Sequence, residues 1–538
     1  MPTPVRGEGG APQPVRISRS TSGIPSADEI WKWQDQLVRF GTRYTGSSGH
    51  TSYVDWLSEH FAAIPGFTLR RERLTFNRWL DRDYSLSITT PTVDNPRPVP
   101  VTYYYPYSGK TSDVGVTGKL VDLGSYPADS PGSSDTSYTP EFWAPARGAI
   151  ALVRAAPSTF SLDTGQTATG GYEPGKSSTQ AAADYEAYAA AAVTSPAWQG
   201  IFNAIPLLDA KNVGVLGVVC TWTGMPDDEV INQYNPFTTP YPSPSGLATP
   251  HDAGCPALWV GDSTGSELAQ AASTGQAQAT LVLTADITVG AATETIWGWL
   301  KGSGSTGENM IVNTHTDGPN ATEENGGLGL LALAKHFAER PTRNRDLYFA
   351  LVTGHFQLPQ FTRTIPDARP VVGNDATSVW MLDHPDIYQR AVMAATVEHL
   401  GCTMWTNDPV TGMYAATGGY DWGATYTVQR KNAAMNAEQN AYLSAVASVN
   451  QEGWPNYPTA TMLPGTNPLY LGEGAPLYAA GIGTVSLIPM PTYLLQAGDA
   501  QHPEQLDLDK LDKNLMYGQI VTFAKAIETL DYTGASSL

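Results

Sequence analysis

The chain has 538 residues, of which 41% are hydrophobic, 10% aromatic and 15% charged, enough for a large core and too many for one ordinary domain. A formal charge of −20 repels phosphate backbones and argues against nucleic acid as a partner. No run reaches the roughly 18 apolar residues that span a bilayer. The segment Met1–Arg19, rich in Pro, Gly and Arg, lacks the apolar stretch of a secretory signal, so the expectation is a protein that engages no membrane and is cytoplasmic unless a leader has been removed.

Residues 1–25 read as a flexible arm. Ile30, Trp31, Trp33, Leu37 and Phe40 form a helical apolar stripe; Tyr53, Trp56, Leu57 and Phe61 form a second after the turn-like stretch 41–49. Residues 67–76 and 84–88 alternate as strands. From 108 to 290 the texture changes to short β-like runs (118–124, 148–153, 213–220 and 257–260) between Gly, Pro and Ser clusters, with one Ala-rich helix over 180–193. This span reads as a β-rich module inserted between 26–107 and 291–538. From 293 onward, apolar runs of buried-strand length (295–300, 310–313, 347–352, 394–400 and 483–488) alternate with helical stretches (328–337 and 432–449). That alternation predicts an α/β fold with a central sheet covered by helices on both faces, and such sheets place their chemistry where strands end at the carboxyl edge. Cys220, Cys255 and Cys402 show no CxxC spacing, which argues against a thiolate zinc site; Cys220 and Cys255 either pair or remain buried thiols, and their apolar settings favour thiols.

Four predicted strand or helix boundaries carry polar clusters. The run 310–313 leads into Thr314-His315-Thr316-Asp317, a His with a carboxylate two residues on that suits a metal ligand and the partner that fixes its ring. Glu323-Glu324 precedes the next helix, where acids ordinarily cap it, yet both fall near the same sheet edge. His355 follows the run 347–352 and has the chemistry of a general base. Glu398, in Val397-Glu398-His399, supplies a further carboxylate. Each has an ordinary reading as a loop or capping residue; four together are harder to dismiss.

In this order the segments resemble the superfamily of co-catalytic zinc aminopeptidases, glutamate carboxypeptidase and glutaminyl cyclase, over most of the chain. Residues 37–76, with Gly41-Thr42-Arg43-Tyr44-Thr45-Gly46, resemble its N-terminal segment, and 108–290 its inserted protease-associated domain. His315-Thr316-Asp317 resembles its His-x-Asp motif, and 472–485 the segment before its last strand. The resemblance implies a zinc-exopeptidase-like mixed sheet with helices on both faces. It implies metal ligation by His315, by Glu323 or Glu324 at the bridging position, and by Glu398, with Asp317 behind His315. The family's second site is not reproduced: His355-Phe356 stands where its Glu-Glu pair would be, and Leu495 stands near its late His, with His502 offset. Phe356 and Leu495 are expected to share an apolar patch there.

The expectation is therefore a divergent metallopeptidase-like enzyme holding one divalent metal, zinc first. It would cleave or transfer an acyl group at a peptide- or amide-type bond of a small-molecule or peptide-like substrate. His355 would replace the Glu base and face the open metal position from the opposite side. The alternatives are an inactive homologue acting as a binding module, and a non-hydrolytic, cyclase-like enzyme on the same scaffold.

Overall fold

A computed structural model of the chain describes residues 23–125, 140–154, 167–192, 205–227, 254–355, 376–428, 437–463, 470–489 and 506–538, less the single positions 92, 107, 206, 341, 456 and 471. All but the last three residues of the expected arm, and Phe356, Leu495 and His502, lie outside the described residues.

Two helices open the described chain, α1 (Ala27–Arg39) and α2 (Ser48–Ala62). Serine caps both: Ser26 Oγ accepts from the Glu29 N–H at 3.2 Å and Ser47 Oγ from the His50 N–H at 3.0 Å. The two strand-like stretches that follow belong to one strand, β1 (Phe67–Thr90), which turns back as β2 (Val93–Val99). β1 pairs antiparallel along nearly its whole length with a second long strand, β9 (Gln278–Leu300).

Between β1 and β9 lie β3 (Tyr103–Tyr104), β4 (Val116–Ser125), β5 (Ile150–Arg154), β6 (Thr167–Tyr172), α3 (Ser178–Ala192), α4 (Leu207–Val213), β7 (Gly217–Thr221), β8 (Ala257–Val260) and α5 (Asp262–Ser273). Five of these strands run in the order β3-β8-β7-β5-β4 and join β9 at its Gln278–Leu281 end. Their core holds Trp143, Ile150, Leu152, Val219 and Trp259, with Cys220 and Cys255 as buried free thiols. β6 departs from this group and pairs antiparallel with a strand at the far edge of the main sheet.

That main sheet is built from β10 (Asn309–His315), β11 (Asp346–Val352), β12 (Ala391–Val397), β15 (Gly423–Val428), β16 (Thr459–Leu463) and β17 (Gly483–Pro489), in the order β9-β11-β10-β12-β17-β15-β16-β6. A small hairpin of β13 (Thr403–Asn407) and β14 (Tyr414–Tyr420) stands apart. β10, β11, β12 and β17 are mutually parallel, with His315 beside Val352 and Asn313 beside Thr396, so their carboxyl ends form one edge.

Parallel central strands are buried on both faces, which explains their continuous apolar runs. Val312, Phe349, Leu351 and Ala395 pack against α1, α2, α6 (Gly326–Ala338), α8 (Ala437–Gln451) and α10 (Lys513–Asp531). Ile311, Tyr348, Ala350 and Ala394 face α7 (Ala376–Asp383) and α9 (Ala475–Ala479). No helix among the described residues is long and apolar enough to cross a membrane. Of the aromatics in the 402–430 stretch, Tyr414 and Trp422 are buried in packed clusters, and Trp405 and Tyr420 pack at cluster margins.

Candidate metal centre

Three imidazoles and one carboxylate meet at the carboxyl edge of the main sheet. His315 is the last residue of β10, and its Nδ1 lies 2.8 Å from the Asp317 carbonyl oxygen. His399, two residues beyond β12, has Nδ1 3.2 Å from the Pro489 carbonyl at the end of β17. A carbonyl only accepts, so both rings carry a proton on Nδ1. Glu323, in the loop before α6, lies between them: one ligand atom each from His315, Glu323 and His399 falls within 4.8 Å of the others, all three side chains buried. His399 Nε2 is 3.5 Å from Glu323 Oε2. The backbone of His399 is left-handed, with φ 53°, an uncommon conformation for a residue with a side chain.

His355 completes the group. Its Nε2 is 3.7 Å from Glu323 Oε1, and its ring stacks on that of His315 with centroids 4.0 Å apart and planes 9° from parallel. It therefore lies beside His315 rather than across the site from it. Its Nδ1 is 2.7 Å from Glu473 Oε1. Burial would depress this imidazole, but the hydrogen bond and charge of Glu473, with Glu323 and Glu398, outweigh it and raise the pKa to about 9. Burial holds His315 well below the ordinary imidazole range, reinforced by the charges of His355 and His399. For His399, the charge of Glu323 overrides burial and raises the pKa.

Asp317, Glu324 and Glu398 are buried in the same region with other partners. The Asp317 carboxylate accepts from Thr45 Oγ1 at 2.6 Å and from the Gly354 N–H at 3.1 Å, and its backbone carbonyl faces His315 Nδ1. Glu324 forms a fully buried ion pair with Arg43. Glu398 Oε1 accepts from the Glu473 N–H at 2.7 Å, and burial pushes its carboxyl up to about 7 against the pull of the His399 and His355 rings. The structure thus brings together His315, Glu323 and His355, directs Glu324 to Arg43, and uses Glu398 to hold Glu473.

His399 and Glu473 had no role in the sequence reading. His399 directly follows Glu398, and the left-handed turn that swings it inward leaves no periodic signal. Glu473 lies between Gly472 and Gly474 in the segment already matched to the family, but nothing in the sequence ties it to His355.

The site is braced by the Gly41–Gly46 segment. Arg43 and Gly318 exchange backbone hydrogen bonds at 2.8 and 3.0 Å, and the Arg43 guanidinium reaches the Asn320 carbonyl as well as Glu324. Tyr53 Oη donates to the Glu324 carbonyl at 3.0 Å. At Gly326 a Cβ would strike the Val397 carbonyl and Thr314 Oγ1, so glycine lets the start of α6 close onto the ends of β10 and β12. This contact brings Glu323 to the histidines.

No protein-family model and no curated protein matches the sequence. Among solved structures, the chain is similar to a peptidase M28 precursor from Shewanella amazonensis (TM-score 0.56, 14% identity, covering 94% of this chain and 98% of that one). It is also similar to a zinc aminopeptidase from Bacillus subtilis (TM-score 0.53, 14% identity, 96% and 98%). A third similar structure is an aminopeptidase from an Aneurinibacillus strain (TM-score 0.52, 15% identity, 94% and 93%). The fold is that of the zinc aminopeptidases, as the sequence resemblance implies, and the likeness extends over nearly the full length of both partners.

Proposed function

We propose that this chain is a metal-dependent hydrolase acting on peptide- or amide-type bonds, with one divalent ion, zinc by preference, held by His315, Glu323 and His399. The observation that carries the reading is the convergence of one ligand atom from each of two imidazoles and one carboxylate within 4.8 Å at the carboxyl edge of the sheet. Two imidazoles and a carboxylate suit zinc, and three protein ligands leave a position for water or substrate. His399 takes the ligand role that the sequence suggested for Glu398. When bound, the ion supplies Lewis acidity to a carbonyl oxygen and to water.

The chain's own residues do the rest. With its pKa raised to about 9, His355 acts as base in the fraction of molecules whose ring is neutral: it accepts a proton at Nε2, the nitrogen that faces Glu323, and later returns it to the leaving amine. Asp317 accepts from the backbone N–H groups of Gly354 and His355 at 3.1 and 3.4 Å, which fixes the turn that presents this base.

The test is zinc content of the purified protein and of three variants, with turnover on a panel of aminoacyl 4-nitroanilides. His315→Ala and His399→Ala are expected to lose zinc and activity together, while Glu398→Gln keeps zinc. Zinc retained by both His variants, or absent from the parent protein, overturns the reading.

A further inference from the structure

We propose that Glu473 is a positioning residue that fixes the tautomer and orientation of His355, so that the His355 Nε2 lone pair points into the metal centre. The role assigned to His355 rests on the function proposed above; the tautomer assignment does not.

The argument is directional. Glu473 is fully buried in the loop before α9, and three elements hold it. Its carbonyl accepts from Asn313 Nδ2 in β10 at 2.9 Å, and its N–H donates to Glu398 Oε1 at 2.7 Å. Its Oε2 accepts from the Thr377 N–H at 2.9 Å and from Thr377 Oγ1 at 2.6 Å. The Thr377 hydroxyl in turn accepts from Asn313 Nδ2 at 3.0 Å, while Asn313 Oδ1 accepts from Thr396 Oγ1 at 2.7 Å. Every proton in this chain runs toward Glu473 Oε2, which must be an acceptor. The remaining oxygen, Oε1, lies 2.7 Å from His355 Nδ1. A carboxylate there accepts only, so Nδ1 carries the proton in either charge state of the ring. The ring is also pinned on its flat side by His315, so its Nε2 has one direction to face.

Glu473→Gln isolates this role because it preserves shape. The two donors of Thr377 dictate which end of the amide is the oxygen. The NH2 group must then face His355 Nδ1, which has to accept. The proton moves to Nε2, and the nitrogen that faces Glu323 becomes a donor that can no longer take a proton. Replacing a carboxylate by its amide behind a catalytic imidazole has this tautomeric consequence in serine proteases.

The experiment uses the full-length, zinc-treated protein labelled with 15N-histidine, and a 1H–15N correlation spectrum recorded above about pH 9, where the His355 ring is neutral, that reports which ring nitrogen bears hydrogen. Nine histidines keep the spectrum sparse, and His355→Gln assigns the signal. The parent protein should show a His355 Nδ1–H resonance that Glu473→Gln replaces with Nε2–H. Zinc content should be unchanged, and kcat on aminoacyl 4-nitroanilides should fall about 10²–10⁴-fold with KM within about twofold, the scale of a lost general base. Should Glu473→Gln not fold, Glu473→Asp keeps an acceptor but sets it back by one methylene: the Nδ1–H must persist and shift upfield, and an unmoved resonance overturns the proposal. An Nδ1–H that survives in Glu473→Gln overturns it as well. Loss of zinc in Glu473→Gln also overturns it, because His355 would then be a ligand. A parent protein without zinc or turnover overturns the proposed function, while the Nδ1 resonance still decides the role of Glu473.

Discussion

Replacing Arg43 by Met tests how the site is held. Arg43 and Glu324 are both fully buried, and the guanidinium also reaches the carbonyls of Leu37, Gly41 and Asn320. Removing one partner of a buried pair strands the other's charge, which costs about 3–5 kcal/mol. Arg43→Met is therefore expected to destabilise the chain by about that much. The double variant Arg43→Met/Glu324→Met removes both charges and restores apolar volume. Ion pairs exchanged in this way often come out neutral or better, but three carbonyls here lose a donor at about 1 kcal/mol each. The double variant should thus be no worse than Arg43→Met alone, with a coupling energy of at least about 2 kcal/mol. Because Glu323 adjoins Glu324, Arg43→Met should also weaken zinc binding about 10–100-fold, as loss of a supporting shell does. Denaturant unfolding of the four proteins of the cycle, with zinc titrations beside it, gives both numbers. Coupling below about 0.5 kcal/mol refutes the clamp, since independent sites add to within that margin.

Glu438, in the first turn of α8, is fully buried with no partner beyond its own backbone N–H for its carboxylate among the described residues, and burial raises its pKa to about 7 against that bond. The folded pKa lies above the unfolded value, so the folded state binds the extra proton between about pH 4.5 and 7; the destabilisation is absent below that window, grows through it, and is on the order of 3 kcal/mol above it. Glu438→Gln should raise the unfolding midpoint at pH 8 and leave it unchanged at pH 4; equal shifts at both would assign the gain elsewhere. Gly326→Ala drives a methyl into the Val397 carbonyl and should cost about 1–3 kcal/mol by overpacking, whereas Gly518→Ala in α10 meets only Val449 and Trp454 at 3.5 and 3.6 Å and should stabilise by up to about 1 kcal/mol; thermal melts of both decide. Free zinc at 100 times its dissociation constant should stabilise the parent protein by about 2.7 kcal/mol and leave His315→Ala unmoved, as calorimetry with and without chelator would show.

The fold was legible where one physical cause dominated. Burial on both faces writes itself as an unbroken apolar run, so β10, β11, β12 and β17 stood out, each shifted by no more than a few residues. The sequence pattern divides β1 in two, because Arg78, Asp81 and Asp83 interrupt the alternation near the points where its register with β9 shifts. The edge strand β6 leaves no mark in the sequence pattern of the main sheet. Its sequence, Thr-Ala-Thr-Gly-Gly-Tyr, carries no apolar face, and its pairing with β16 spans nearly three hundred residues of chain.

At the candidate metal centre the difference is one of direction. Sequence order can say that His315, Glu323, His355 and Glu398 arrive at one edge, because strand ends fix where a backbone emerges. It cannot say which of two adjacent residues turns inward. Glu323 and Glu324 are separated by a partner far away in the chain, Arg43, which takes one and leaves the other. Glu398 and His399 are separated by a backbone conformation: the left-handed turn at His399 sends its ring to Glu323, while Glu398 is captured by the Glu473 N–H. In both cases the neighbouring carboxylate has one oxygen engaged in a structural bond. The same bonds that decide which side chains reach the centre also hold in place the loops that carry them, so disturbing Arg43 or Glu473 should alter the chemistry without touching a ligand.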